Sequence, residues 1–157
     1  SITSVNTQAR ETEKEKISQL PIEAAEKARE LGLHPKAEIV DYAFTGGDLY
    51  DELLLGPAYA IAQVLKQTGM KLDDIGLIEA NEAFAAQYLA CEKGLGLDRT
   101  KVNVNGSGVG LGHPVGCTGA RLIVTLMNEM KRRNVRHGIA TLCVGGGMGA
   151  AVLIENI

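Results

Sequence analysis

The sequence predicts an α/β domain in which helices cover both faces of a mixed, mostly parallel sheet. Segments with strand and helix patterns alternate over most of the chain, and this alternation favours parallel strands joined by helices. Two strand patterns follow each other directly only near the C-terminus, which predicts one antiparallel strand there. Hydrophobic residues make up 45% of the chain and charged residues 22%, so the chain can bury a core.

Length and charge narrow the class of protein further. The chain has 157 residues, which is enough for one domain. Its formal net charge is −3 and no run of Lys and Arg interleaves with aromatic residues, so nucleic acid is not an expected partner. No stretch approaches the roughly 20 apolar residues that span a bilayer, and the N-terminus has no apolar signal segment. We therefore expect a cytoplasmic protein without a membrane partner.

Four segments are predicted to be helices. They combine helical spacing of apolar residues with strong helix formers, and proline or glycine lies near their ends. The last of them ends in basic residues, which suits the negative end of a helix dipole. The predicted helices are Ile22–Leu31, Ala58–Thr68, Glu82–Lys93 and Thr118–Arg133.

Five segments are predicted to be strands because they are short, mostly apolar and rich in β-formers. Residues 1–22 are polar and predict a solvated lead-in to a domain of residues 23–157. The predicted strands are Ala37–Phe44, Ile75–Ala80, Val102–Asn105, Gly138–Cys143 and Gly149–Ile154.

Glycine marks two places where the backbone needs unusual geometry. Ten of the 19 glycines fall within residues 106–119 and 145–149. The first stretch lacks the Gly-Lys-Ser/Thr of a phosphate-binding loop, and a His-Pro pair interrupts the glycine spacing of a dinucleotide site. A nucleotide site is therefore not predicted. Both stretches follow predicted strands, which is where sites form in such sheets.

His113 lies in the first glycine stretch, between Gly112 and Pro114. An imidazole held in such a loop is suited to proton transfer or to hydrogen-bond donation to a developing oxyanion. An ordinary loop residue is the alternative. His34 and His137 lie in polar, turn-like segments and are predicted to be surface residues.

The three cysteines lie far apart, which predicts free thiols rather than a disulfide framework or a metal site. Cys143 ends a predicted strand just before three glycines, whose N–H groups could bind an anion. The alternative is a thiol that only fills the end of the strand. Cys91 falls on the apolar stripe of its helix and is predicted to lie in the core. Cys117 precedes a helix, where its thiol could be reactive or could pack the loop.

Asn81 stands between a predicted strand and a predicted helix. It is a good helix N-cap, although its amide could instead face a pocket. Glu82 is placed to complement the positive end of that helix. Ala83 and Phe84 are the apolar residues that follow.

Three sequence motifs that occur in a fixed order indicate a family more specifically than any one of them does alone. They are Asn81-Glu-Ala-Phe-Ala-Ala-Gln87, Asn103-Val-Asn-Gly106 with Gly112-His-Pro-Val-Gly116 and Gly119-Ala-Arg121, and Cys143-Val-Gly-Gly-Gly-Met-Gly149. Together they resemble the C-terminal half of thiolases, the acetyl-CoA acyltransferases. The resemblance covers about residues 23–157.

This resemblance implies a catalytic role for four residues. His113 would activate a nucleophilic cysteine and, with a water held by Asn81, form the oxyanion hole for the thioester enolate. Cys143 would remove the α-proton of acetyl-CoA in condensation, or protonate the enolate in thiolysis. The N–H group of Gly145 would stabilise the tetrahedral intermediate. His113, Asn81 and Cys143 should therefore line one cleft.

The resemblance also implies substrates and partners. Acyl-CoA and acetyl-CoA would be the substrates, contacted by Ala83 and Phe84, with no separate cofactor and no metal. Thiolases carry the nucleophilic cysteine in their N-terminal half, which has no counterpart in this sequence. We therefore expect the chain to be inactive without such a half, in the same or a separate chain. Apolar surface beside the open cleft predicts a homo-oligomer.

Two features depart from the family, and two other interpretations stay open. Residues 1–22 lack the Asp-Gly-Ala motif that usually opens this half, so the sheet could lack a strand. Thiolases mostly have a small residue where Cys117 stands, so Cys117 is predicted to pack. The first alternative is a non-catalytic, thiolase-like binding or scaffold module. The second is an independent acyl hydrolase with Cys143 as its nucleophile.

Overall fold

The structure, a computed structural model, describes residues 23–157. The chain divides into two compact units between Lys36 and Ala37. In the first unit, residues 23–30 form helix α1, within the segment predicted to be helical. The predicted lead-in of residues 1–22 lies outside the described residues, so the domain boundary at residue 23 stays a prediction. All the elements below belong to the second unit.

A four-stranded sheet forms the centre of the second unit. Its strands are β1 (Ala37–Gly46), β2 (Leu77–Ala80), β3 (His137–Gly145) and β4 (Met148–Asn156), in the order β1-β4-β3-β2. β2 is parallel to β3, whereas β4 is antiparallel to both β3 and β1. Three strands of this sheet therefore run in one direction and β4 opposes them. The predicted mixed, mostly parallel sheet and the predicted C-terminal antiparallel strand are confirmed.

The prediction of a strand over Val102–Asn105 is wrong. Val102 forms a single isolated parallel bridge with Ile78, and the chain then turns away. The turn occurs because Asn103 has a φ of 48°, in the left-handed region that ends an extended segment. Beyond the bridge, the side chain of Asn103 rather than further backbone contacts β2.

The helices of this unit are α2 (Gly56–Thr68), α3 (Ala85–Leu95), α4 (Gly108–Leu111) and α5 (Thr118–Arg133), with a 3-10 turn at Leu72–Asp74. α5 has the predicted bounds. α3 begins three residues later than predicted and continues past Gly94 to a C-cap at Gly96, whose φ is 67°. The single turn of α4 was not predicted, because glycine has a low helix propensity.

α2 and α5 cover opposite faces of the sheet, which confirms the layered α-β-α arrangement. Alternate residues of β3 and β4 point to opposite faces and enter different apolar clusters. The cluster on the α2 side includes Ala60, Ile61, Val64, Ile139, Ala151 and Leu153. The cluster on the α5 side contains Leu77, Leu122, Leu126, Met130, Ala140 and Ile154. Within residues 23–157, no helix is long and apolar enough to cross a membrane.

The N-terminus of α2 rests directly on β4 through two glycines. A Cβ atom at Gly149 would overlap the backbone carbonyl group of Gly56, and one at Gly56 would overlap the backbone of Met148 and Gly149. Because neither glycine has a side chain, the helix and the strand can approach this closely. Pro57 then occupies the first turn of α2, where its lack of an N–H group costs nothing.

Glu79 places a carboxyl group inside the sheet. It belongs to β2, whose four residues are all buried, and 3% of its surface is exposed. Burial raises the pKa of Glu79 to about 7; the Arg121 guanidinium opposes this shift, whereas Glu82 and Glu129 add to it. Since the folded-state pKa exceeds the ordinary value of 4.5, protonated Glu79 favours the folded state. This contribution is complete below about pH 4.5 and is lost as the pH rises through about 7.

Gly149→Ala should lower the free energy of unfolding by about 1–3 kcal/mol, the usual effect of overpacking a tight contact. Gly119→Ala is the matched control, because a Cβ atom there meets no described atom within 4 Å and alanine favours the first turn of α5. Urea denaturation of both variants measures the two changes. Equal unfolding midpoints would contradict the importance of the Gly56–Gly149 contact.

Glu79→Gln should raise Tm relative to the wild type more at about pH 8 than at about pH 5. The reason is that glutamine cannot ionise, whereas folded Glu79 loses its proton as the pH passes about 7. Thermal unfolding followed by circular dichroism at both pH values measures the difference. Glu38→Gln, at an exposed position of β1, is the control and should change Tm little at either pH. An effect of Glu79→Gln that does not depend on pH would refute the raised pKa.

Candidate functional site

The site lies at the carboxyl edge of the two parallel strands. Ala80, the last residue of β2, is paired with Thr141 of β3, and Asn81 follows directly. The Asn81 N–H group donates a 2.9 Å hydrogen bond to the Thr141 carbonyl oxygen, which extends the pairing by one residue. Cys143 comes two residues later on β3. The pairing therefore brings Asn81 and Cys143 to the same edge of the sheet.

Asn81 faces His113 and does not cap a helix. Its side chain is fully buried, and its Nδ2 atom lies 3.3 Å from His113 Nε2. The N-cap of α3 is Phe84, three residues later, so the N-cap interpretation of Asn81 is wrong. The buried Oδ1 atom of Asn81 accepts no hydrogen bond from the described residues. It keeps the capacity to accept one from a bound molecule.

His113 is held from its other ring nitrogen by Thr118. His113 Nδ1 lies 2.6 Å from Thr118 Oγ1, which donates its own hydrogen bond to the Pro114 carbonyl oxygen at 3.0 Å. Because the hydroxyl has one proton and a carbonyl can only accept, His113 Nδ1 must be the donor to Thr118. In the neutral ring, Nε2 then carries the lone pair and accepts from Asn81. The hydrogen-bond network thus assigns the tautomer and presents a basic nitrogen to the site.

Asn103 holds the backbone just before Asn81. Its Oδ1 atom accepts from the Ala80 N–H group at 2.8 Å, and its Nδ2 atom donates to the Ala80 carbonyl oxygen at 2.8 Å. The same carbonyl oxygen accepts from Ser107 Oγ at 3.1 Å. The Asn103 side chain thus forms with the end of β2 the two hydrogen bonds that the backbone of a neighbouring strand would form. Sequence reasoning missed this role and that of Thr118, because both depend on contacts between distant segments.

Glu82 joins two loops of the site, and its predicted role at the start of α3 is wrong. One carboxylate oxygen accepts from Asn103 Nδ2 at 3.2 Å and the other from the Val109 N–H group at 3.0 Å. The first turn of α3 has no acidic residue. Ala83 and Phe84 lie in the chain between Glu82 and α3. Ala83 is half-buried, whereas Phe84 is exposed, so a ligand can reach its ring.

Cys143 and Gly145 lie at the end of β3, where the hairpin to β4 begins. Cys143 is half-buried, and burial raises the pKa of its thiol, which therefore stays protonated at neutral pH. Gly145, Gly146 and Gly147 all have left-handed backbone angles, with φ of 89°, 61° and 76°. Only glycine adopts three such conformations in succession without strain. The convergence of Cys143 and Gly145 with His113 in one cleft stays a prediction.

The remaining histidines and cysteines lie in other settings. Cys91 is buried in α3, as predicted. Cys117 is exposed at the N-cap of α5, so the prediction that it packs is wrong. His34 is exposed, as predicted. His137 is half-buried at the start of β3, 3.8 Å from a carboxylate oxygen of Glu155, and does not lie in a surface turn.

Exposed apolar side chains lie close in sequence to these site residues. They come from the segment before α3, the loops on either side of His113 and the β3–β4 hairpin. These side chains are Phe84, Val109, Leu111, Val115, Val144 and Met148. A basic nitrogen, a buried amide and a protonated thiol near such a surface suit proton transfer on an apolar substrate.

Comparison with known proteins places this arrangement in a family. The family model described as Thiolase, C-terminal domain matches residues 33–156. The acetyl-CoA acetyltransferase of Syntrophomonas wolfei is 51% identical over 134 residues, and the 3-ketoacyl-CoA thiolase of Bacillus subtilis is 50% identical over 130 residues. The alignments cover 84% and 83% of this chain but 34% and 33% of the relatives. The chain therefore spans about a third of the length of the curated relatives it matches.

Solved structures agree with the sequence comparison. The acetyl-CoA acetyltransferase of Bacillus anthracis matches with a TM-score of 0.80 and 59% identity. The human mitochondrial 3-ketoacyl-CoA thiolase matches with a TM-score of 0.81 and 42% identity. Each match covers 84% of this chain and 33% of the other. Because fold, motifs and identity agree over most of its length, the chain belongs to the thiolase family and corresponds to the family's C-terminal domain.

Proposed function

We propose that this chain is the C-terminal catalytic half of a thiolase, which transfers acyl groups between acyl-CoA and acetyl-CoA. The reaction is Claisen condensation, or in reverse the thiolysis of a 3-oxoacyl-CoA. The observation that carries the proposal is the hydrogen-bonded series Asn81–His113–Thr118 at the carboxyl edge of β2. These hydrogen bonds leave Nε2 of His113 as the basic nitrogen, on the side of the ring that faces Asn81. The names of the relatives support acyl-CoA substrates.

In this proposal His113 acts first as a base. Its Nε2 lone pair takes the proton of the nucleophilic cysteine, which belongs to the part of the family that this chain does not span. In condensation the thiolate then attacks the thioester carbonyl carbon of acyl-CoA. Coenzyme A takes the thiol proton of Cys143 and leaves as its thiol, so Nε2 keeps its proton and Cys143 becomes a thiolate. The protonated Nε2 can afterwards donate a hydrogen bond to a thioester oxygen that gains negative charge. Asn81 supports that oxygen through a water held by its amide.

Cys143 acts as the acid or base at the α-carbon. In thiolysis its protonated thiol gives a proton to the enolate that leaves, and in condensation the thiolate removes that proton. The raised pKa of Cys143 supports the first of these states at rest. It also disfavours the alternative of an independent hydrolase, because a nucleophilic cysteine needs a lowered pKa. The Gly145 N–H group completes the site by stabilising the tetrahedral intermediate.

The partner in this proposal is a thiolase N-terminal half, in the same or a separate chain. It would supply the nucleophilic cysteine and cover the exposed apolar side chains around the site. Phe84, 64% exposed, and its neighbour Ala83 would then line the space for the acyl group. We further propose a cytoplasmic homo-oligomer. The proposed N-terminal half has one consequence, which is that this chain alone cannot turn over substrate.

The purified chain should show no thiolysis of acetoacetyl-CoA in the presence of coenzyme A. A chimera that places the chain behind the preceding region of a thiolase relative should be active. In that chimera, His113→Ala should lower kcat about 10²–10⁴-fold, the range for loss of a general base. The exposed His34 provides the control, and His34→Ala should leave kcat unchanged. Turnover by the chain alone would defeat the proposal, and so would an active His113→Ala chimera.

A second comparison in the chimera separates the two accessible thiols. Cys143→Ala should lower kcat by about 10³-fold, because the proton donor at the α-carbon is lost. Cys117→Ala should keep activity within a few-fold, since Cys117 is exposed at the start of α5. Steady-state kinetics of thiolysis measures both variants. The reverse ranking would transfer the catalytic role from Cys143 to Cys117.

A further inference from the structure

We propose that Arg121 is a positioning residue for His113, through its hydrogen bond to the backbone of the loop that carries His113. The inference rests on the proposed function only in giving His113 a catalytic role. Its structural content concerns the orientation of the imidazole ring in this chain. That orientation can be measured whether or not the chain forms a thiolase.

The loop that carries His113 needs external support. Gly112 has a φ of 89°, so the residue before His113 is the one with the most backbone freedom. The loop is exposed from Pro114 to Cys117, and so it gains little from burial. Asn81 and Thr118 hold the ring itself, but the ring can keep its direction only if the backbone that carries it is fixed too.

Arg121 supplies that support from the first turn of α5. Its Nη1 atom donates a 2.6 Å hydrogen bond to the Gly112 carbonyl oxygen, in the peptide group that leads into His113. Thr118, which holds His113 Nδ1, lies one turn earlier on the same helix. Residues three apart on a helix share a face, so α5 contacts both the ring and its backbone. One rigid element therefore fixes both.

The guanidinium of Arg121 is partly buried at a cost. Its Nη2 atom is buried and has no hydrogen-bond partner among the described residues. A buried N–H donor without a partner costs free energy, and the hydrogen bond from Nη1 to the Gly112 carbonyl oxygen offsets part of that cost.

The carboxylates of Glu129 and Glu82 are already engaged. Glu129 accepts from Arg132, Arg133 and Asn105, and these bonds hold its pKa at about 2. Glu82 accepts from Asn103 and from the Val109 N–H group. Neither carboxylate bonds to Arg121, so among the described residues the Gly112 carbonyl oxygen is the acceptor that holds its guanidinium.

The test is the tautomer of His113, read by nitrogen NMR of the histidine-labelled 157-residue chain. In the wild type, His113 should show the form with the proton on Nδ1. Arg121→Met should shift this population toward a mixture of both tautomers, because the loop loses its anchor. Arg121→Lys should restore part of it, since one hydrogen bond to Gly112 is enough. The signals of His34 and His137 should not move.

Activity gives the second measurement, in the chimera described above. Arg121→Met should lower kcat by about 10–100-fold with little change in KM, the usual effect of a residue that orients a catalytic group. A His113 tautomer that is unchanged in Arg121→Met would overturn the inference, even if the variant were less stable. If Arg121→Met does not fold, Arg121→Ala takes its place, because alanine favours the helix and also removes the hydrogen bond to Gly112, and a wild-type tautomer population in that variant would overturn the inference. Shifted tautomers with an inactive wild-type chimera would keep this inference and reject the proposed function.

Discussion

The parallel pairing of β2 with β3 is the constraint on which the site depends. β2 has four residues, and its register with β3 sets where Asn81 leaves the sheet. A shift of one residue would turn every side chain of β2 to the opposite face. Asn81 would then lose His113, and Glu79 would enter the apolar cluster on the α2 side. The bridge at Val102 and the two hydrogen bonds from Asn103 oppose such a shift from the outer side of the strand.

Sequence reasoning succeeded where local pattern and structure coincide. α5 was predicted with its observed bounds because its apolar stripe repeats at helical spacing and its last turn is basic. β1 and β4 were predicted within a few residues for a similar reason, the density of β-formers. The site residues Asn81, His113 and Cys143 were selected by motif, and the structure places the first two in contact. The structure places Cys143 at the same edge of the sheet as Asn81, and its place in one cleft with His113 stays a prediction.

Two of the failures share one physical cause. Val102–Asn105 has the composition of a strand, but Asn103 adopts a left-handed φ, and its side chain takes over the hydrogen bonds of a strand. Asparagine is a residue type that favours the N-cap position, but the side-chain amide of Asn81 donates a hydrogen bond to His113 instead. In both cases a polar side chain bonds to a partner more than 20 residues away. Such bonds leave no periodic trace in the sequence, so no local pattern could have revealed them.

The register of β1 with β4 has a consequence for how the domain is made. Ala37 lies opposite Asn156 and Gly46 opposite Met148, so the first strand of the sheet pairs with the last. During synthesis β1 has no partner until β4 leaves the ribosome, on the order of ten seconds later at ordinary elongation rates. In that interval Tyr42 and Phe44, which stay exposed even in the folded sheet, belong to an unpaired edge strand. The edge of β1 is therefore open to pairing with other chains until β4 occupies it, and completion of the sheet closes that edge.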